Sequence, residues 1–523
     1  MTSNILELVN KGSNISSHLE STPLEESEHI CWINQTIPIE DAFNDIGHAY
    51  NPVKHKDLSS YEVLMTKDPS SDTRKMHVIN MALKKEISKI NEDYASVNYG
   101  GKPTVLNETV CSTFGHQTHE VRKLNDVKTW LENRPAYKAK VLRGGVLSIK
   151  KVNIVDEWWK SSDRREYPKG IVMAPNQQTP GAYNIYQGLP IEPVEGDWSL
   201  FKKLILEGLC DNDVALYEWV LDWMASAIQH PETRYGVALV LKGGKGIGKG
   251  KFAEWFGKLF GKHYLHITQE KHLTGNFNAH QIQAILMFAD ELIWGGQKQQ
   301  EGVLKALITE DSFMVERKGY DATRAKNYVR LLVASNNEWP VPASAGERRW
   351  CVCACTDKFK GDFNFFISID QQMKDGGLEA MMSELKSRNI TTQQRQAPKT
   401  KALGEVAIKG FTPLEQWAHH LLESSTPILS LDPHNILSVK WGTDITVDVL
   451  YESYKAYCTN NNLRDIGSKS SMSKALKKLL GLPKSQRKRA NGPSRPSSYK
   501  LPSIKLARMN FEKAVEVPLD WVD

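Results

Sequence analysis

No stretch of this chain stays apolar for the roughly 20 residues a helix needs to cross a bilayer. Its opening, MTSNILELVNKGSNISSHLESTPLEESEH, lacks the basic start and apolar core of a secretory leader. The expectation is a soluble, intracellular protein without a membrane partner. Cysteine is scarce, with seven residues scattered except for CVCAC at Cys351, Cys353 and Cys355, which argues against a disulfide framework. No Cys or His pair follows that run at finger-like spacing, so these read as buried strand cysteines rather than zinc ligands. A large excess of one charge is also missing. The 67 Lys and Arg oppose 61 Asp and Glu, and a net charge of +6 is too mild to name a nucleic-acid partner by itself. Internal repeats and long low-complexity tracts are absent.

The 523 residues allow two to four domains. Residues 1–85 are polar, rich in Ser, Glu and Asn, and weakly periodic; their function is not legible. From Tyr94 to Pro193, β-prone runs alternate with Gly and Pro turns, so residues 86–197 read as a small α+β module containing a helix in VNIVDEWWKSSDRREY. Residues 198–403 form the next region, where NDVALYEWVLDWMASAIQH is a helix ended by Pro231. Residues 404–444, rich in Pro, Ser and Thr, read as a linker. In 445–523, TVDVLYESYKAYCTNNN is a helix and SSMSKALKKLLG a second, with Ser470 or Ser471 as its cap and Gly481 as its stop. The stretch KSQRKRANGPSRPSSYKLPS then suits a basic hairpin, and this order is that of a winged-helix module.

Within 198–403, YGVALVLKGGKGIGKGKFAEWFGKLFG reads as strand, glycine loop and helix. That context marks a phosphate-binding P-loop, formed here by Gly243, Gly244, Lys245, Gly246, Ile247, Gly248, Lys249, Gly250 and Lys251. Glycines let backbone N–H groups close on phosphate oxygens, the helix start adds its dipole, and Lys249 adds a point charge. Gly250 stands where Ser or Thr usually supplies a magnesium ligand, and Lys251 cannot replace it because an ammonium repels Mg²⁺. Since Mg²⁺ keeps several waters and leans on phosphates and carboxylates, the change weakens the site without abolishing it.

Further on, AILMFADEL is a buried strand ending in Asp290 and Glu291, suited to hold magnesium and to activate a water. The strand YVRLLVASNN ends in Asn336 and Asn337, where an amide can sit beside a terminal phosphate. GERRW then places Arg348 and Arg349 between a loop and another apolar strand, a position suited to a finger reaching a neighbouring subunit.

These four elements, in this order and with these gaps, resemble the superfamily 3 helicases. The closer resemblance is to the helicase portion of phage and plasmid primase–helicases. It is carried by GGKGIGKG, ILMFADEL, VLKALITEDSFMVERKGYDATRAKNYVRLLVASNN and GERRW, strongly over Trp198–Thr356. Looser likeness extends upstream to YASVNYGGK and YNIYQGLPIEP and downstream to SYKLPSIKLARMNFE. The resemblance implies an α/β, AAA+-like ATPase core in a ring, usually a hexamer, with ATP and Mg²⁺ between subunits. Single-stranded or forked DNA would pass through the pore, usually tracked 3′ to 5′. By the same resemblance, Lys249 is the Walker A lysine, Asp290 and Glu291 are the Walker B acids, and Asn336 is the sensor. Arg348 is the finger, with Arg349 as the alternate. A pore hairpin in VERKGYD would put Lys318 and Tyr320 at its tip, against the DNA.

Between Asp465 and Glu512 there is no acid, and Lys477, Lys478, Arg487, Lys488 and Arg489, with Tyr499 interleaved, suit a folded nucleic-acid binder. The first two hundred residues show no paired strand acids for priming chemistry, NEDY at Asn91–Tyr94 being a poor candidate, so the expectation is a protein that either works alone or borrows the activity of a separate primase or polymerase. The leading reading is an ATP-driven DNA helicase replicating a phage, plasmid or satellite in a bacterial cytoplasm. The alternatives are an origin-binding initiator that uses ATP as an assembly switch, or a disabled ATPase acting as a scaffold.

Overall fold

The computed structural model describes residues 32–33, 65–66, 72–111, 117–134, 136–141, 147–291, 298–424, 428–432, 435–464, 466–487 and 496–521. The chain divides into two compact units, residues 1–172 with 179–184, and residues 173–178 with 185–523. Most of the 1–85 region lies outside the described residues.

In the first unit, α1 (Asp72–Asp93) runs straight through the expected boundary at residue 85. Leu83, Ile87 and Ile90 recur at helical spacing on both sides of that point and are all buried, so no break is possible there. Strands β1 (Tyr94–Tyr99), β2 (Lys102–Val110) and β3 (Gln117–Arg122) follow as an antiparallel meander. Two short helices, α2 (Leu124–Trp130) and α3 (Ile154–Lys160), precede β4 (Glu166–Tyr167), which joins the sheet beside β1. This is the expected α+β composition. The helix in VNIVDEWWKSSDRREY is shorter than expected. Asn153 caps it by accepting from the N–H groups of Val155 and Asp156, and it stops at Ser161. Ser161 Oγ accepts from Asp163 N–H at 3.1 Å and Ser162 Oγ donates to Asp163 Oδ1 at 3.5 Å, local bonds that favour a turn.

The second unit begins its regular core with α4 (Val214–Gln229), capped by Asp213, and β5 (Ala238–Lys242). After the glycine loop come α5 (Lys249–Lys258), β6 (Tyr264–Ile267) and β7 (Leu286–Asp290). A hairpin of β8 (Ser312–Arg317) and β9 (Tyr320–Lys326) leads to β10 (Arg330–Ser335) and β11 (Trp350–Ala354). Strands β6, β7, β10, β5 and β11 lie in that order in one sheet, every pairing parallel. Their near-continuous apolar runs are what burial on both faces requires. The expected α/β core with a parallel sheet is therefore present. Cys351 and Cys353 are fully buried on β11, and among the described residues no group of three or more His, Cys, Asp or Glu could hold a metal ion.

Arg330, at the start of β10, is buried, and burial pushes its pKa down to about 10. Its Nη2 donates to the carbonyls of Ser226 (3.0 Å), His230 (2.7 Å) and Thr233, closing the C-terminal end of α4 where the helix dipole is negative. Arg330→Met would leave Ser226 O and His230 O with only their backbone donors and would strip Arg330 from Thr233 O, and it is expected to lower unfolding free energy by about 2 kcal/mol. A denaturant midpoint unchanged from wild type would contradict this.

Beyond the sheet, α6 (Phe363–Gln372) is followed by α7 (Lys401–Lys409) and α8 (Pro413–Glu423). The stretch expected as a linker, 404–444, is thus largely folded, with a further strand pair at Ile428–Asp432 and Asn435–Ser438. Its physical cause is visible in TPLE: Thr412 and Glu415 form a reciprocal capping box with Pro413 at the first turn.

The last elements are β12 (Asp444–Thr446), α9 (Val447–Asn460), α10 (Lys469–Leu480), β13 (Gln486–Arg487), β14 (Ser497–Lys500) and α11 (Ile504–Val515). The cap of α10 is Ser468, which accepts from Ser471 N–H, rather than Ser470 or Ser471; Gly481 does end the helix, at φ 67°. One continuous apolar cluster runs from the parallel sheet through Leu403, Val406, Trp417 and Leu421 into Leu450, Leu476 and Phe511. Among the described residues no helix is long and apolar enough to cross a membrane.

Candidate functional site

Strand β5 delivers the chain into the glycine loop, whose root is stitched to both neighbouring strands. Gly243 N–H donates to Ser335 O at 3.0 Å, and Cys355 N–H donates to Lys242 O at 2.8 Å. A Cβ at Gly243 would lie 2.7 Å from Ile247 Cδ1 and 2.9 Å from the Cys355 carbonyl. Gly248 has φ 103° and the added constraint that a Cβ would meet Leu204 at 2.8 Å, so only glycine fits. Cys355, expected as a buried strand cysteine, instead lies just past β11, is half-buried and backs the loop.

Lys249 opens α5 and is only 8% exposed. Its Nζ turns back to donate to Gly243 O (2.7 Å) and Gly244 O (2.5 Å). No carboxylate lies within ion-pair distance of it among the described residues. Burial pulls its pKa below that of an ordinary lysine, against the opposing pull of Cys355, Glu291, Asp290 and Asp357. A buried ammonium held only by loop carbonyls at a helix N-terminus is a strong attractor for an anion.

Asp290 ends β7, and Glu291 follows with φ 50°, a left-handed backbone that costs a non-glycine residue about 1 kcal/mol. Glu291 N–H donates to Ala334 O at 2.9 Å, which pins the turn against β10. Both carboxylates are reachable from solvent, with side-chain exposures of 35% for Asp290 and 53% for Glu291. Lys245 Nζ lies 4.0 Å from Glu291 Oε1, and His266 Nε2 lies 3.4 Å from Asp290 Oδ2. His266 was not singled out in the sequence, because a β6 neighbour of Asp290 is visible only once the strands are paired. Asn336 is exposed just past β10, while Asn337 is half-buried with its N–H bonded to Ser335 Oγ at 3.1 Å. Lys249, Asp290, Glu291 and Asn336 therefore gather at the carboxyl ends of neighbouring parallel strands, where such sheets bind ligands.

The two arginines separate cleanly. Glu347, buried, accepts from the backbone N–H groups of Arg348 (2.9 Å) and Arg349 (2.8 Å) and from Arg349 Nη1 (3.1 Å). Arg349 is thereby tied down, while Arg348 is exposed and has no ion pair among the described residues. Both precede β11, whose Trp350 pairs with Ala238 at the start of β5. They sit about 20 Å of strand away from the glycine loop of their own chain.

Gly250 is exposed, with no atom within 4 Å of an added Cβ and an ordinary helical backbone. Lys251 does not join the loop. Its Nζ bonds Asp370 on α6 at 3.0 Å and Glu254 at 3.1 Å; burial opposes its charge, but these two carboxylates raise its pKa. Two helical steps, about 200° of turn, point residue 251 away from residue 249, which is why nearness in sequence misplaced it.

The expected hairpin is β8–β9, turning at exposed Lys318 and Gly319, the latter at φ 81°. Asn278 grips it from the side: Nδ2 donates to Met314 O at 2.8 Å, and Oδ1 accepts from Glu316 N–H at 3.0 Å. The Tyr320 side chain lies outside the described residues. In the C-terminal part, Lys477 and Lys478 are exposed on α10. Arg487 is on β13 with its side chain outside the described residues, as are Lys488 and Arg489 entirely. Tyr499 is not available to a base. It is 1% exposed in the core, with Lys477 Nζ 6.0 Å from its ring.

Residues 241–349 match a family described as one of unknown function, DUF5906. A DNA primase-polymerase of Nitratiruptor phage NrS-1 is 27% identical over 183 residues, covering 34% of this chain and 25% of that protein. The chain thus matches about a quarter of the length of this relative. Among solved structures, the apo structure of the NrS-1 C-terminal region aligns with a TM-score of 0.53 at 15% identity, covering 76% of this chain and 96% of that one. Its A-form apo structure aligns equally, with a TM-score of 0.53. The chain is related to a phage primase-polymerase and shares the fold of that protein's C-terminal region.

Proposed function

We propose that this protein is an ATP-driven DNA helicase that works as a ring in replicating a phage or similar mobile element. The observation that carries the reading is Lys249: a buried ammonium with no carboxylate partner among the described residues, aimed into a glycine loop at the switch point of a parallel sheet. A triphosphate supplies the missing counter-charge. Loop N–H groups and Lys249 would hold the phosphates, and Asp290 would hold Mg²⁺ together with phosphate oxygens. Bound Mg²⁺ would neutralise charge developing between the outer phosphates. Glu291, half-exposed beside it, accepts the proton of the attacking water, and Asn336 fixes that water's position. Arg348 cannot reach its own chain's loop, so it serves as a finger only for the neighbouring copy's ATP.

The DNA-contacting roles fall to Lys318 on the hairpin and to the acid-free basic face around Lys477 and Lys478, for which a winged-helix reading accounts. The kinship with a primase-polymerase supports work on replicating DNA. Priming is assigned to a partner, since the first two hundred residues show no paired strand acids for that chemistry.

Mg²⁺-dependent ATP hydrolysis with and without single-stranded DNA, followed by forked-duplex unwinding, tests this. DNA-stimulated turnover with strand separation is the expected result. A sequence-dependent shift of duplex DNA with no unwinding would move the conclusion to an ATP-switched initiator.

The open space at Gly250 gives a further expectation. Gly250→Ser adds a hydroxyl where a metal ligand is missing and improves helix propensity. It should lower the Mg²⁺ concentration for half-maximal hydrolysis about fivefold, as about 1 kcal/mol of added affinity would. An unchanged or higher requirement for Mg²⁺ would show that the site is not short of that ligand.

A further inference from the structure

Phe363 and Ile367 on α6 are 77% and 64% exposed, although the same helix packs closely against α5. Phe366 faces the start of α5, its Cε1 3.0 Å from where a Cβ on Gly248 would stand. One turn further on, Asp370 accepts from Trp255 Nε1 at 2.9 Å and from Lys251 Nζ at 3.0 Å. Helix α6 therefore runs alongside α5 in the same direction, and its first turn reaches past the beginning of α5. Phe365 turns the other way and stacks on buried Phe359, with ring centroids 4.0 Å apart. At about 100° per residue, Phe363 and Ile367 share the flank beside Phe366 and Asp370, and Phe363 lies roughly 4.5 Å before Phe366 along the axis. That places it at the rim of the glycine loop. The chain leading into α6 follows the same rim: a Cβ on Gly244 would stand 3.3 Å from Asp357 Oδ1 and 3.8 Å from Lys360 Nζ.

The order of the sheet decides which end of a nucleotide meets this rim. Asp290 and Glu291 follow β7, which lies on the β10 side of β5, whereas β11 and the chain leading to α6 lie on the opposite side. A triphosphate that turns its outer phosphates toward those acids directs its ribose and base the other way, toward β11 and the first turn of α6. There the ring of Phe363 meets water in the free chain. We infer that Phe363, with Ile367 beside it, is the platform on which the base of the bound nucleotide stacks. An aromatic face pairs well with the π-face of a base, and the contact removes exposed apolar surface from water. The inference rests on the ATP-site reading above and adds to it the residue that receives the nucleobase.

Binding of ATP and of inorganic tripolyphosphate to the full-length chain, each with Mg²⁺, separates the base from the phosphates. In Phe363→Ala the affinity for ATP should fall about tenfold, while that for tripolyphosphate stays at the wild-type value. Phe363→Trp should bind ATP at least as tightly as the wild type. Irradiation of the wild type with 8-azido-ATP needs no substitution, so it stands even if a variant misfolds. The label should appear in the tryptic peptide 361–374, bounded by Lys360 and Lys374, and disappear with excess ATP. Unchanged ATP affinity in Phe363→Ala, or a label confined to other peptides, would overturn the platform and leave the ATP site standing. An equal loss of both ligands would also overturn it, because a merely structural phenylalanine gives that result. A variant that keeps its ATP affinity but no longer self-associates in sedimentation would give this face to a second copy of the chain instead. Failure of the wild type to bind either ligand would overturn both readings.

Discussion

Lys249→Ala is expected to cut ATP hydrolysis about a thousandfold, the scale of removing one preorganised charge from a developing transition state. The same change should leave thermal stability unchanged or raise it. Lys249 is 8% exposed and bonded only to Gly243 O and Gly244 O, so folding now carries the cost of an ammonium taken out of water without a carboxylate partner. Alanine relieves that cost, is a better helix residue, and empties the loop of its charge. Paired hydrolysis and melting measurements separate the two roles. A variant that loses activity together with several degrees of stability would show Lys249 to be a structural lysine.

Arg348→Ala should reduce hydrolysis by about 10³- to 10⁵-fold while leaving nucleotide affinity intact, the signature of a charge supplied to the transition state from outside the binding pocket. Because Arg348 lies at the opposite end of the sheet from its own glycine loop, its defect should be complemented between chains. Mixing inactive Lys249→Ala with inactive Arg348→Ala creates interfaces that contain one intact lysine and one intact arginine. With random assembly into a ring, about one quarter of interfaces are of that kind, and about that fraction of activity should return. Mixtures that stay inactive, or an Arg348→Ala protein that remains active, would remove the finger role. Arg349→Ala should behave differently. It strips a partner from buried Glu347, so its expected defect is a stability loss of about 3 kcal/mol.

The parts of this site that were legible in the sequence are those encoded locally. A β-branched run, a glycine loop and a helical repeat of Phe252, Phe256 and Leu259 specify strand, turn and helix without reference to any distant residue. The same holds for the strands ending at Asp290 and at Ser335. What was not legible depends on neighbours chosen by the fold. Arg348 and Arg349 are equivalent in sequence until Glu347 takes one of them. Lys251 looks like a loop residue until Asp370 arrives from α6, and Tyr499 looks like a stacking platform until the core closes over it. His266 acquires meaning only when β6 is laid beside β7 in register. The folded stretch after residue 403 was missed for another reason: its Pro and Ser content suggested a linker, although the capping signature in TPLE was there to be read.

Asn278 makes the hairpin something other than a loose finger. Its side chain bonds two backbone groups of β8, and the chain that carries it runs directly into β7, which ends in Asp290. In mechanical terms it is a coupling pin between a lever and the strand behind it. On the helicase reading, a load at Lys318 would pass along this joint into the strand that bears the carboxylates, and a shift of those carboxylates would move the tip. The pin is also the weakest member of the train, two hydrogen bonds of about 1 kcal/mol each against a cooperative five-stranded sheet, so overload would slip the joint before it distorts the strands.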